Sequence, residues 1–233
     1  MLYNEEAVRA NIRNREGKRV FYLGKGDQLT SAARDYLSRE RIEIRPGEQA
    51  RPERYRLLSG GFLTEKPEHM THLNGDVLVV KDHPRIRFRG KLDTLESELI
   101  LCQLADKALE KSVGEILELA RKIIRCEVLD EPLHGETLCG LTQEEQRQRS
   151  HFPQDYYGQP HFMPSAADGE VIARLNRARC AAREAELAAV TAFCDREGNP
   201  TRTDILRAMN RMSSMLYLLM IQRRADSRGD RPQ

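Results

Sequence analysis

The chain has 233 residues, with 38 Lys and Arg against 36 Asp and Glu and a net charge of +2, so no global basic field argues for nucleic acid as a partner. Charged residues make up 32% and aromatics only 6%, with no Trp, a composition that suits a helix-rich soluble protein with a Leu, Ala and Met core. The apolar run Met215–Ile221 is interrupted by Tyr217 and far too short to span a bilayer, and the opening MLYNEEAVRANIR has no apolar signal core, so a cytoplasmic protein with no membrane partner is expected.

Residues 1–60 read as a small separate module. Arg19–Leu23 reads as a strand and Gly24–Asp27 as a turn. Thr30 is placed to cap a helix through Ser38, with Leu29, Ala32, Ala33, Tyr36 and Leu37 on one face. Arg41–Arg45 alternates like a second strand, so a short βαβ unit is expected. The GKGD turn lacks the strand–loop–helix spacing of a phosphate-binding loop and reads as a plain turn. Residues 46–64 form a polar connector with Pro and Gly turn chemistry.

The stretch Lys66–Cys102 carries the densest chemistry. Between Lys81 and Arg89 there are four cations, followed by Gly90, Lys91 and Asp93, which is read as opening a helix. A solvated basic loop explains such a cluster, and so does a bound polyanion such as a triphosphate, met by planar Arg forks and Lys point charges. From Gly90 the pattern is helical. Leu92, Leu95, Leu99 and Cys102 form one set; Leu109, Val113, Ile116, Leu117, Ala120, Ile123 and Ile124 form the next, with a break expected near Lys111–Gly114. Residues 129–164 lack periodicity and are rich in Pro, His, Gln and Tyr, which marks a functional or mobile segment. Tyr156, Tyr157 and Phe162 would line an apolar pocket or pack the loop on itself.

Glu170–Cys194 is a strong helix with a small-residue stripe, Val171, Leu175, Ala178, Ala182, Ala185 and Ala189, that permits close helix approach. Arg179, Arg183 and Glu186 share the adjacent face. Two arginines beside a helix contact need anions, either carboxylates such as Asp93, Glu96 or Glu186, or a ligand. The last helix, capped by Thr203 or Asp204, runs through about Arg224 on Ile205, Leu206, Met209, Met212, Leu216, Leu219 and Met220. Asn210 is anomalous among these methionines, as a backbone-satisfied amide or as a ligand contact. Residues 226–233 read as a disordered tail. The five cysteines, Cys102, Cys126, Cys139, Cys180 and Cys194, have an odd count and wide spacing, so free thiols are expected. His69 and His72 lie in a presumed loop without further metal ligands in register, so no metal held by protein side chains is expected. The fold class is mainly α: an antiparallel helical bundle over residues 61–225 with a small α/β module in front.

KPEHMTHLNGDVLVVKDHPRIRFRGKLD, LDEP followed by GLT, SHFP and DILRAMNRMSSMLYLLMI together resemble the EutT family, the ATP:cob(I)alamin adenosyltransferases of ethanolamine utilisation. LTSAARDYL followed by RIEI extends the likeness into the front module. More distantly, the chain resembles the PduO-type adenosyltransferases. That likeness places Lys81, Arg85, Gly90 and Asp93 on a lysine–arginine–glycine–aspartate block, Arg179 and Arg183 on paired helix arginines, and Asn210 on a nucleotide-contacting asparagine. The resemblance implies ATP and Mg²⁺, cobalamin as substrate, a bundle of the cobalamin adenosyltransferase type and a homotrimer with sites between subunits. It also implies a reductase, supply of coenzyme to ethanolamine ammonia-lyase, and a place in the cytoplasm or inside a bacterial microcompartment. Asp93, Arg179 and Arg183 would be catalytic, and Lys81, Arg85 and Asn210 would join them on ATP. The chain lacks the CC-x-x-C metal motif of some EutT proteins and the N-terminal ATP loop of the PduO type. Lys66, His69, Thr71 and His72 would substitute for that loop. Phe162, with Met163 as competitor, would form the apolar wall against cobalamin. A non-catalytic corrinoid carrier or microcompartment-associated protein is the alternative, and a partner-binding helical protein a further one.

Overall fold

The computed structural model describes residues 2–15, 17–24, 26–46, 54–135 and 137–228. The chain divides into two compact units, Met1–Lys81 and Asp82–Gln233.

In the first unit, β1 (Leu2–Tyr3) pairs in parallel with β4 (Gln28–Leu29), and α1 (Glu5–Ala10) follows β1. Strand β3 (Lys18–Leu23) pairs antiparallel with β2 (Arg13–Arg15) and parallel with β5 (Glu43–Pro46). Between β3 and β5 runs α2 (Ser31–Arg39), capped by the Thr30 hydroxyl, so the expected βαβ unit is present. Ala33, Tyr36 and Leu37 are buried on Phe21, Val8 and Leu29, whereas Ala32 faces solvent. The stretch expected to be a connector instead contains β6 (Tyr55–Leu57) and β7 (Phe62–Leu63). They join a hairpin of β8 (Met70–Asn74) and β9 (Val77–Val80) in a four-stranded sheet ordered β7-β6-β9-β8. The pairing of β6 with β9 and the Arg15–Asp76 ion pair tie this sheet into the first unit. Compactness therefore changes after Lys81, rather than at 60 where the composition shifts.

The second unit is built on α3 (Pro84–Ala105), α4 (Glu110–Leu129), α7 (Gly169–Phe193) and α8 (Thr203–Arg228), with β10 (Thr137–Leu138), β11 (Leu141–Thr142), α5 (Gln143–His151) and α6 (Pro153–Tyr157) between α4 and α7. Cross-helix pairs fix the directions. Lys91–Glu184 and Glu98–Arg177 make α3 and α7 antiparallel. Glu186–Asn210 and Arg179–Tyr217 do the same for α7 and α8. The chain belongs to the mainly α class, as expected. Leu92, Leu95, Leu99, Leu175, Met209, Met212 and Leu216 are fully buried, each contributing about 1.5–3 kcal/mol of transfer free energy. Ala178, Ala182, Ala185 and Ala189 are fully buried too, and their size lets α7 approach α3 and α8.

Four boundaries differ from the sequence reading. Helix α3 begins at Pro84 behind a His83 cap, not at Asp93, because Pro at the first turn gives up no backbone donor that a helix could use. The break before α4 falls at Asp106, whose side chain caps the short Lys107–Leu109 turn, and Gly114 is accommodated inside α4. The aperiodic 129–164 segment holds two helices; α5 is stabilised by a Thr142–Glu145 capping box instead of an apolar face. Helix α8 continues to Arg228, four residues past its expected end, held by Arg223 on Asp106 and Asp226 and by buried Ala225. Residues 229–233 of the expected disordered tail lie outside the described residues.

Candidate active site

The α7 arginines are the first feature. Arg179 is half-buried and Arg183 exposed. Neither forms an ion pair with a carboxylate among the described residues. The three acids the sequence offered to neutralise them are otherwise placed. Glu96 binds Arg121 at 3.1 Å. Glu186 accepts from Asn210 Nδ2 at 2.8 Å. Asp93 is exposed on α3. Arg179 makes only neutral contacts, donating to Asn176 Oδ1 at 3.4 Å and lying 5.6 Å from the Tyr217 ring centroid.

Asn210 stands across the α7–α8 seam from these arginines. Its amide is satisfied by side chains: Nδ2 donates to Glu186, and Oδ1 accepts from Arg211. The antiparallel register sets Ser213 and Ser214 opposite the Arg183 level, where both hydroxyls donate to the Asn210 carbonyl oxygen. The seam thus presents two guanidinium groups and an oriented amide on one strip.

An aromatic stack continues the strip. Phe162 and His161 both stack on Tyr217, with centroids 6.5 and 5.8 Å away. His161 Nε2 faces the His151 carbonyl oxygen at 3.1 Å, so that nitrogen donates, and Nδ1 shares a 2.8 Å hydrogen bond with the Tyr217 hydroxyl. Burial pushes the Tyr217 phenol up, against the Phe162 backbone N–H and the charges of Arg179 and Arg224. Arg224 lies 4.0 Å over the Phe162 ring and pairs with Asp168 at 3.1 Å. Phe162 is therefore clamped on two sides, while Met163 is 90% exposed. His161, Tyr217 and Arg224 had no sequence signal beyond lying in an aromatic segment and at regular spacings on α8.

Arg85 and Arg89 converge on Glu127, a carboxylate with no solvent exposure. Arg85 reaches its carboxylate through Nε and its backbone carbonyl oxygen through Nη2 at 2.7 Å, while Arg89 Nε donates to the carboxylate at 2.5 Å. The signal for Glu127 was a lone acid on the apolar face of α4, at helical spacing from Ile123. His83 caps α3 by accepting the Arg85 N–H at 3.2 Å. Burial holds its pKa below the ordinary 6.5, aided by the charges of Arg85 and Arg89.

In the first unit, the β8–β9 hairpin gathers most of the remaining candidates at one end. Lys66 Nζ donates to Met70 O at 3.2 Å, the Lys81 N–H donates to His69 O, and Lys81 Nζ pairs with Glu68 at 3.4 Å. Thr71 follows opposite Val79. His72 points to the other face of the strand, against Tyr55 and the Gly75 carbonyl oxygen, so it does not join the group.

Comparison with known proteins gives a consistent picture. The family model for cobalamin adenosyltransferase matches residues 62–222. The corrinoid adenosyltransferase EutT of Salmonella typhimurium is 30% identical over 241 residues, covering 93% of this chain and 90% of that one. EutT of Escherichia coli gives the same identity and coverage. Two variants of a PduO-type ATP:corrinoid adenosyltransferase from Lactobacillus reuteri, solved complexed with cobalamin and ATP, are similar in fold. They have TM-scores of 0.51 and 0.52 at 19% and 21% identity, each covering 71% of this chain and 92% or 90% of that one.

Proposed function

This chain belongs to the cobalamin adenosyltransferase family, and we propose that it transfers the 5′-deoxyadenosyl group of ATP to the cobalt of a reduced corrinoid. The observation that carries the reading is the α7 pair. Arg179 and Arg183 sit without a carboxylate beside an amide oriented by Glu186. Cations left unneutralised next to a fixed amide suit a triphosphate leaving group.

In the reaction, the Co(I) lone pair attacks C5′, the C5′–O5′ bond breaks, and its electron pair leaves on triphosphate. The substrate metal supplies the nucleophile, so the protein has to align C5′ with cobalt and stabilise the charge that builds on O5′. Arg179 and Arg183 take that charge and Asn210 fixes the nucleotide. Arg85, seated on Glu127, keeps Nη1 for phosphate. Lys66, His69, Thr71, His72 and Lys81 belong to the first unit, and their part in gripping phosphate rests on the family resemblance alone. Mg²⁺, implied by the family resemblance, would arrive with ATP and help neutralise the phosphate charge. Phe162, clamped by Tyr217 and Arg224, is the rigid apolar surface that would exclude the lower axial base of cobalamin and ease reduction of Co(II) by a reductase. Exposed Met163 would border it.

Asp93 is read as orienting an arginine of a neighbouring subunit in a homotrimer. Its exposure supports this, as do exposed Leu187 and Val190, which continue the Arg183 face of α7. Supply of coenzyme to ethanolamine ammonia-lyase, in the cytoplasm or a microcompartment, is part of the same proposal and rests on the family resemblance alone. Phosphorus NMR of an anaerobic incubation tests the chemistry: one inorganic triphosphate should appear per cobalt–carbon bond, whereas bound cobalamin without triphosphate would refute transfer.

A further inference from the structure

Outside the α7–α8 seam, the second unit contains a half-open cavity of about 550 Å³ lined by α4, the β10–β11 hairpin, α5 and the first turns of α8. Its walls carry two kinds of polar group that the reaction does not use. Arg207 and Arg211 project from α8. Arg207 enters no ion pair among the described residues. Arg211 donates only to neutral oxygens, Asn210 Oδ1 and Gln143 O at 3.4 Å. Burial depresses its pKa, helped by the charges of Arg147 and Arg207 and opposed by those of Glu144 and Glu186, neither of which forms an ion pair with it among the described residues. On α5, Gln146 is 1% exposed; its Nε2 donates to Leu141 O at 2.9 Å, which fixes the amide orientation, and its Oε1 has no donor. A buried amide oxygen left without a donor costs about 1–3 kcal/mol, and natural folds rarely leave one.

Two carboxylates also line the cavity. Asp204 is committed to Arg202 at 2.8 Å and to the Leu133 N–H. Glu144 lies in the first turn of α5, facing solvent, and can accept from a hydroxyl. Leu133 and Leu138 supply apolar wall. The volume falls in the range of small-molecule sites, well above what a single ion fills.

We propose that this cavity binds a small hydroxylated phosphate monoester, its oxyanion held by Arg207 and Arg211 and a hydroxyl donated to Gln146 Oε1. The site is physically joined to the seam. Arg211 donates to the same Asn210 whose amide is held by Glu186, so a phosphate that draws Arg211 into the cavity removes one of the two bonds orienting Asn210. Occupancy should then raise the ATP KM. That coupling rests on the adenosyltransferase reading, but the binding itself does not.

Calorimetric titration of the full chain with glycerol 3-phosphate separates the two, with sulfate as the control that offers an oxyanion without a hydroxyl. Glycerol 3-phosphate should bind the wild type and the Arg183→Ala variant equally. Loss of one charge-assisted contact in Arg207→Ala should weaken it by about tenfold or more. Gln146→Leu, checked for folding by circular dichroism, should lose the preference over sulfate. Absence of binding to the wild type, binding unaffected by Arg207→Ala, or loss in Arg183→Ala, which would put the ligand in the nucleotide site, each overturns the proposal.

Discussion

Asn210 Nδ2 donates to Glu186 Oε1 at 2.8 Å, locking α8 to α7 three residues beyond Arg183. The bond does two things. It turns the amide into a fixed element of the seam, and it engages Glu186, the carboxylate one turn beyond Arg183 on the same face of α7, leaving the arginine charge for a ligand. Asn210→Ala should release Glu186 to pair with Arg183. The expected outcome is an ATP KM raised by about tenfold or more, the value of a hydrogen bond to a charged group, with a melting temperature close to wild type. An unchanged KM would remove Asn210 from the nucleotide site.

Glu127 binds both Arg85 and Arg89 in a place with no solvent exposure. Glu127→Gln would take a shared carboxylate away from two partly buried guanidinium groups. Breaking such a pair typically costs about 3–5 kcal/mol, so denaturant unfolding should show a loss of that order. Arg183→Ala removes no ion pair and should unfold like the wild type.

The α3 cap gives a pH dependence with a defined sign. His83 accepts a backbone N–H, which only the neutral imidazole can do, and its folded-state pKa lies below the ordinary 6.5. The folded state therefore binds fewer protons than the unfolded one. The stability from this group is complete above pH 6.5 and is lost as pH falls from there through the depressed folded value. His83→Asn keeps a side-chain acceptor at the cap and should flatten that part of the stability–pH curve. A wild-type curve with the same slope as the variant would contradict the assignment.

How much of this was legible in the sequence depends on the kind of order. The bundle was, because Leu92, Leu95, Leu99 and Cys102 on α3 and Ala178, Ala182, Ala185 and Ala189 on α7 repeat at helical spacing, and all are buried. Arg179, Arg183 and Asn210 stood out because their chemistry conflicts with the apolar patterns around them. The β6–β9 sheet was not legible, since its strands are short and its pairing of Arg56 with Val77 is non-local. Helix α5 was missed because its stability comes from a capping box and a single buried glutamine rather than an apolar stripe. The start of α3 was misplaced because a basic run was read as loop, when His83 and Pro84 form a helix entry. Glu127 and the Phe162–Tyr217–Arg224 clamp join residues distant in sequence, and only folding brings them together.

The most direct test of the central claim is the visible spectrum of the protein mixed anaerobically with MgATP and chemically reduced cobalamin, alongside the Arg183→Ala variant. The wild type should form a light-sensitive cobalt–carbon product. The variant should form it about a hundredfold more slowly or worse, the typical loss when one group stabilising transition-state charge is removed. No product from the wild type, with a perturbed cobalamin spectrum, would instead describe a corrinoid carrier, and equal rates in the two proteins would take the leaving triphosphate away from Arg183.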